Sequence, residues 1–471
     1  MTDEPLTLES FLAEHPWPAA MLEEGKPIEY LWRFDLEASL EGMWTHVSNT
    51  SRFNRALGLS EMSFDERAGL MHGESSAGGL KHEWVEPPWD WVKGRVMVAQ
   101  RRYTRGFSKI VRTIFVFQEL GPKRVRLYMY FGWIPRNLVW GWLLRLGMVP
   151  FQWRVRGLLE ELARHDGEAD PAVLAQPVSP LPEPVHARID AHRRDLLARG
   201  LSDEAIDNLV SLIQGGDEMD LERLQPRKLA RDWQLSEREV LRACLHGTRV
   251  GLLAMSWDVI CPHCRGVRAE LKNLGEVPKA GACEACAIDF GTDAPEAIEI
   301  TFHVHPSIRK ISRLQFCAAQ LAGKRHIEVQ QVLAPGERRT VPTSLTSGRH
   351  RVRVRGQLDV GYLLLAPDHE RQQCTWRASD APEEHPLKPE PTLEIDNDTD
   401  REQIFIVEEV SWSDDALRPT HLFSFQEFRD LFSEQYIGAD VQLSVGEQPS
   451  CSPTSSARPA STSIAAIPRP S

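Results

Sequence analysis

Four cysteines in two close pairs constrain this chain more than any other feature. They stand in "CPHCRGVRAELKNLGEVPKAGACEAC" as C-x2-C, eighteen intervening residues, and C-x2-C again. Each C-x2-C turn directs two sulfurs at one point, and the loop between them brings the second turn opposite the first, which is the donor set tetrahedral Zn2+ takes. Cys261, Cys264, Cys283 and Cys286 fill all four positions, leaving no place for water, so the expected ion is structural and not catalytic. A disulfide or redox role is the alternative, and a reducing compartment disfavours it. His263, inside the first pair, offers a nitrogen that four thiols make unnecessary, and Cys244, Cys317, Cys374 and Cys451 are scattered like ordinary thiols.

A ribbon of this kind is small, whereas 471 residues are several cores' worth, since a single core stops growing near roughly 250 to 300 residues. With 42% hydrophobic and 26% charged residues the composition is that of soluble globular domains, and a net charge of −12 argues against general polyanion binding. The start, "MTDEPLTLESFLAEHPWP", is acidic and broken by proline, without the basic and apolar regions of a signal peptide, which points to the cytoplasm. The most apolar window, "NLVWGWLLRLGMVPFQW", contains Arg145 and Pro150 and falls short of a bilayer span of roughly 20 apolar residues. It reads as a buried or amphipathic helix.

Ten of the fourteen tryptophans precede residue 154, which sets residues 1–168 apart. There "KPIEYLWRFDLEA" reads as a strand, "SLEGMWTHVSNTSRFNRALG" as helix, and "GGLKHEWVEP", "KGRVMVAQRRYT", "SKIVRTIFVFQEL" and "KRVRLYMYFGW" as further strands. A long helix follows, expected to bend or break near Pro150. This order resembles the START-like or polyketide-cyclase-like superfamily, whose helix-grip fold implies a cavity between sheet and helix for an apolar small molecule. The candidates for lining it are Trp84, Glu86, Trp89, Trp91, Tyr103 and Trp133. Glu83, Glu86 and Asp90 lie among tryptophans, and a desolvated carboxylate can act as a general acid, although carboxylates at strand ends are ordinarily solvated. No G-x-S-x-G, P-loop or H-E-x-x-H motif occurs.

A Pro-rich linker at 169–183 leads to a helical unit at 184–256. Its last two helices, joined by "QLS", have helix-turn-helix spacing, with "SWDVICP" as a wing strand. Arg238 and Arg242 would then read bases, but Glu237 and Glu239 share the helix, so a winged helix used for structure or protein contact is expected and nucleic acid is not. The zinc ribbon spans 257–292, and alternating strands at 293–418 suggest a β-sandwich. At 419–446 a helical linker carries Phe423, Phe425, Phe428 and Phe432 on one stripe, before a Ser/Pro tail at 447–471. The fold class is therefore α+β and multidomain.

Taken in order, "EGMWTHVSNTSRFNRALGL", "EWVEPPWDWV", "RRYTRGF", "GLLAMSWDVICPHCR" and "FRDLFSEQYI" resemble the region in front of bacterial class III adenylate/guanylate cyclase domains. The resemblance implies a regulatory, ligand-sensing region without catalysis of its own, in a protein that works as a homodimer. In such proteins a strand similar to F-T-D-L-V-G-S-T follows. Here the tail reads "CSPTSSARP", and codons exist for it whose shifted frame spells F-T-D-L-V-G-S-T. A frameshift between about Gly446 and Cys451, truncating the chain before its catalytic domain, is the resulting expectation. Two other classes remain open: a stand-alone START-like small-molecule or lipid-binding protein, and a zinc-containing winged-helix transcription regulator.

Overall fold

Alternating burial along the strands builds the N-terminal sheet of the computed structural model, which describes residues 5–433 except 68–69, 78, 169–170, 177–179, 295, 320 and 411–414. The tail with Cys451 and the expected frameshift lies outside the described residues. After two short helices, α1 (Leu8–Glu14) and α2 (Ala19–Leu22), comes β1 (Ile28–Leu36), then α3 (Leu40–Ser48) and α4 (Thr50–Ala56). Seven strands follow: β2 (Met62–Arg67), β3 (Leu70–Ala77), β4 (Leu80–Glu86), β5 (Asp90–Val92), β6 (Val96–Arg105), β7 (Ser108–Gly121) and β8 (Arg124–Pro135). Helix α5 (Leu138–Arg164) closes the unit. The antiparallel order β1-β8-β7-β6-β4-β3-β2 with a closing helix is the helix-grip arrangement, in which β2 and β3 are strands that the sequence pattern does not mark.

Strand β8 is buried on both faces, and its period of two divides the residues between two cores. Val125, Leu127, Met129, Phe131 and Trp133 enter the core under α3, α4 and α5, whereas Tyr128, Tyr130 and Ile134 meet Phe11 and Trp17 from the N-terminal segment. Ser39 caps α3 and donates to Asp166 at 2.6 Å, which ties the start of α3 to the end of α5. Helix α5 passes Pro150 as one helix, so the expected interruption does not divide it. Its Met148, Val155, Leu158, Leu159 and Leu162 enter the core, while Leu138, Trp142, Leu146, Val149 and Trp153 are exposed. No helix among the described residues is long and apolar enough to cross a membrane.

Next come α6 (Glu183–Ala198), α7 (Asp203–Gly215), α8 (Glu218–Leu221), α9 (Pro226–Asp232) and α10 (Glu237–Val250). They share one core with β9 (Leu253–Ile260) and β13 (Ile298–Val304), and between those strands lie β10 (Val267–Leu271), β11 (Ala280–Cys283) and β12 (Ile288–Gly291). Strand β13, which in the sequence reads as the opening of the β-rich unit, pairs with β9 from Ile298↔Val259 to Val304↔Leu253. The reason is burial: Ile298, Ile300 and Phe302 belong to the helical core.

The β-sandwich has one layer of β14 (Ile327–Leu333), β16 (Gly348–Val354), β17 (Gly361–Leu365), β19 (Glu384–Leu387) and β21 (Gln403–Glu409). The other layer holds β15 (Arg338–Pro342), β18 (Gln373–Arg377) and β20 (Thr392–Asp396). Strand β5 pairs with β6 on one side and, through Val92↔Val329 and Trp91↔Gln330, with β14 on the other. One sheet thus runs from the helix-grip unit into the sandwich. Beyond the sandwich, α11 (Pro419–Ser424) and α12 (Gln426–Leu431) turn back onto the helical unit, where Leu422, Phe428 and Phe432 join the core around Trp257. The single linker helix expected from residue 419 is instead broken at Phe425, whose backbone is extended.

Candidate metal centre and ligand cavities

Two matching turns gather the four cysteines. The residue after each pair, Arg265 and Ala287, has a positive φ (56° and 54°), and each turn closes with a backbone bond, Arg265 N–H to Cys261 O at 2.9 Å and Ala287 N–H to Glu284 O at 3.1 Å. The four sulfurs lie within 4.8 Å of one another, all buried and none in a disulfide. Tetrahedral Zn–S bonds of about 2.3 Å place sulfurs about 3.8 Å apart, and Cys264 and Cys283 stand at 3.8 Å. The donor set therefore fits one soft, tetrahedral cation, which makes the four-cysteine cluster a candidate metal site. Hydrogen bonds among the sulfurs hold the Cys264 thiol low and push Cys261 and Cys286 up, because four close thiolates cannot coexist without a cation. His263 is buried beside the cluster but outside the set of sulfur donors.

Both turns are docked on the sandwich through their backbone carbonyls. Gly356 N–H donates to Cys286 O at 3.0 Å, Arg355 to Glu284 O at 2.9 Å, Arg351 to Pro262 O at 3.0 Å and His326 Nε2 to His263 O at 3.1 Å. Beneath them Glu408, fully buried, accepts from Arg353 Nε at 3.0 Å and pairs with Arg351. His326 lies 3.7 Å from the same carboxylate, yet burial and then Arg265 push its pKa down to about 3, so it stays neutral.

An inner cavity of about 120 Å3 lies between the sheet and helices α4 and α5. Strand register supplies its floor: Met97↔Phe115, Ala99↔Thr113 and Thr113↔Phe131 place side chains of three adjacent strands on one face, and Phe53 and Phe151 cover them. A cavity of this size holds about one aromatic ring. Beside it a cleft of about 410 Å3 runs between the helix-grip sheet, the cysteine turns and the sandwich. Trp89 lines both spaces.

The other cavity candidates divide. Glu86 and Trp91 line the cleft, while Trp84, Tyr103 and Trp133 line neither space. Trp84 stacks near Tyr103 at 5.5 Å, and Trp133 lies flat on Phe131 at 5.6 Å. Glu86, with no exposed surface, accepts from Trp84 Nε1 at 2.9 Å, Trp89 Nε1 at 2.6 Å and Arg101 Nε at 2.9 Å. It is a fixed acceptor in the wall between the two spaces. Asp90 is raised by burial, but Arg339 pairs with it and Val332 N–H donates to it at 2.6 Å; Glu83 pairs with Lys81 at the surface. None of the three carboxylates is placed as an acid facing either space. Sequence reading missed Phe53, Met97, Phe115 and Phe151, although the shared parity of the alternating runs was the available signal for the strand residues.

Helices α9 and α10 stand at helix-turn-helix spacing, with Ser236 and Glu239 forming a capping box at the start of α10. However, Glu427 of α12 pairs with Arg242 and lies 3.9 Å from Arg238, whose guanidinium covers Phe425. The side chains that would read bases are held by this chain's own C-terminal helices.

Residues 190–320 match a family of unknown function (DUF5939), a span that includes the four cysteines. No curated protein matches the chain. Among solved structures, the chain is similar to the Zhui aromatase/cyclase from Streptomyces sp. R1128, at 11% identity over 30% of this chain and 95% of that one, TM-score 0.26. It is likewise similar to a START superfamily protein from Mycobacterium smegmatis (11% identity, 28% and 98% covered, TM-score 0.24) and to a protein from Thermus thermophilus (19%, 30% and 100%, TM-score 0.24).

Proposed function

We propose that this chain is a ligand-sensing region of a class III adenylate/guanylate cyclase-like protein, without cyclase activity of its own. An apolar small molecule in the helix-grip cavity is the signal, and Zn2+ on Cys261, Cys264, Cys283 and Cys286 is a structural part of the relay. When bound, the ion supplies folding energy and fixes the two turns; it has no chemistry to perform, because thiolates take every position. Trp84, Tyr103 and Trp133 serve to stiffen the surrounding sheet.

The observation that carries this reading is the seam at β5. Trp89 lines the cavity, Trp91 and Val92 follow within three residues, and both pair directly with β14 of the sandwich. A shift of Trp89 on ligand binding is thereby passed to β14 and β21 by backbone hydrogen bonds. Two measurements test it. Native mass spectrometry of the purified chain, before and after solvent extraction, is expected to release a small apolar compound, and returning that compound should slow hydrogen exchange in β14 and β21. Assay with ATP or GTP and Mg2+ or Mn2+ is expected to give no cyclic nucleotide. Turnover in that assay, or unchanged exchange on adding the compound, overturns the reading.

A further inference from the structure

The cleft differs from the inner cavity in its charge. Arg268, Lys324 and Arg355 line it, and among the described residues none of the three pairs with a carboxylate. Arg268 Nε donates to the Gly266 carbonyl at 3.4 Å while its charge also faces the four cysteines, and Arg355 donates to the Glu284 carbonyl at 2.9 Å. Arg265 adds a further cation, held on the Glu409 carbonyl at 2.9 Å. Arg223, also in the lining, is paired with Asp258 and Glu299; of the two lining carboxylates Glu86 is satisfied by two indoles and Arg101, which leaves Glu66, with Cys264 and its cluster beside Arg268, to oppose the other cations. A concave surface on which Lys324 and Arg355 have no carboxylate partner among the described residues is suited to an anion even in a chain of net charge −12.

Gln315, Gln330 and several apolar side chains complete the lining, which comes from different elements. Phe64 and Trp89 belong to the helix-grip unit and Ile404 and Ile406 to β21, whereas the cations come from the first cysteine turn, β10, the segment before β14 and the residue after β16. At about 410 Å3 the cleft has the size of ordinary small-molecule sites. We propose that it binds a small amphiphilic organic anion, its carboxylate or phosphate on Arg268, Lys324 and Arg355 and its apolar body against Phe64, Trp89 and Ile406. This site is separate from the inner cavity and joins three units. Its occupant touches both the cysteine turns and the sheet, so binding clamps them together.

The test uses the zinc-loaded full chain and two fluorescent probes with the same ring system: 1-anilinonaphthalene-8-sulfonate, an aromatic anion, and the neutral N-phenyl-1-naphthylamine. Lys324→Gln alone, and Arg268→Gln with Lys324→Gln, are expected to weaken the sulfonate roughly tenfold in the double variant, as loss of charge-assisted contacts requires, and to leave the neutral probe within about twofold. Lys324 makes the single variant safe for folding, since it has no partner to lose among the described residues. Displacement of the sulfonate by decanoate assigns the ligand to carboxylates, and displacement by AMP to nucleotide phosphates; either supports the site. Sulfonate affinity unchanged in both variants, equal weakening of both probes, or displacement by neutral decanol but by neither anion overturns it.

Discussion

Glu86 is the residue on which the wall between cavity and cleft depends. It gathers two indole N–H groups and one guanidinium away from water, and removing it leaves both indoles without this acceptor and Arg101, which keeps Tyr103 beside it, without its counter-charge. Glu86→Ala is therefore expected to cost about 3 to 5 kcal/mol in urea unfolding, the scale for breaking one side of a buried pair. Glu86→Gln, which keeps an acceptor, should cost visibly less, and equal losses would contradict this account. His326 gives a second prediction, with its sign fixed by burial. Its pKa is about 3 in the fold, against about 6.5 in an unfolded chain. Below pH 6.5 the unfolded chain takes up a proton that the folded one refuses, so the stability is full above that pH and is lost as the pH falls toward 3. At pH 5 the loss is about 2 kcal/mol. Comparing unfolding at pH 7 and pH 5 for the wild type and His326→Gln should show the variant falling by that much less, because glutamine keeps a donor for the His263 carbonyl.

At the scale of elements, the cysteine turns are the clearest case of chemistry legible in sequence. Spacing alone singles out the four cysteines that the fold gathers, since two C-x2-C turns have few other uses. What spacing does not give is the set of carbonyls by which those turns hold the sandwich, because the partners, Arg351, Arg355, Gly356 and His326, lie 63 to 89 residues away and carry no local signature. Chelation is accordingly expected to act beyond the ribbon. Removing the metal should raise hydrogen exchange at 351–356 and 404–409 by at least tenfold while the helices α6 to α10 keep their protection; unchanged exchange in the sandwich would show that the turns dock without their ion. Helix α5, read as buried or amphipathic, shows a limit of another kind. One face enters the core, yet on the other Trp142 and Trp153 remain 61% and 70% exposed. Periodicity reports that a face is apolar, not what covers it.

For the whole molecule, the N-terminal order of strands and closing helix could be read because each alternating run is punctuated by Pro or Gly. Strand β5 is invisible to pattern, since three residues between Pro87-Pro88-Trp89 and a tight turn form no period. The boundary drawn before β13 failed for a related cause: a strand of buried residues on both faces says nothing about which neighbour it pairs with. That missed three-residue strand has a further importance. It lies between β6 and β14 in one continuous sheet, with only two residue pairs joining it to β14. Where such a joint opens, two rows of unpaired N–H and C=O groups become templates for another chain. The short seam thus covers strand edges on β5 and β14 that would otherwise be open to another chain.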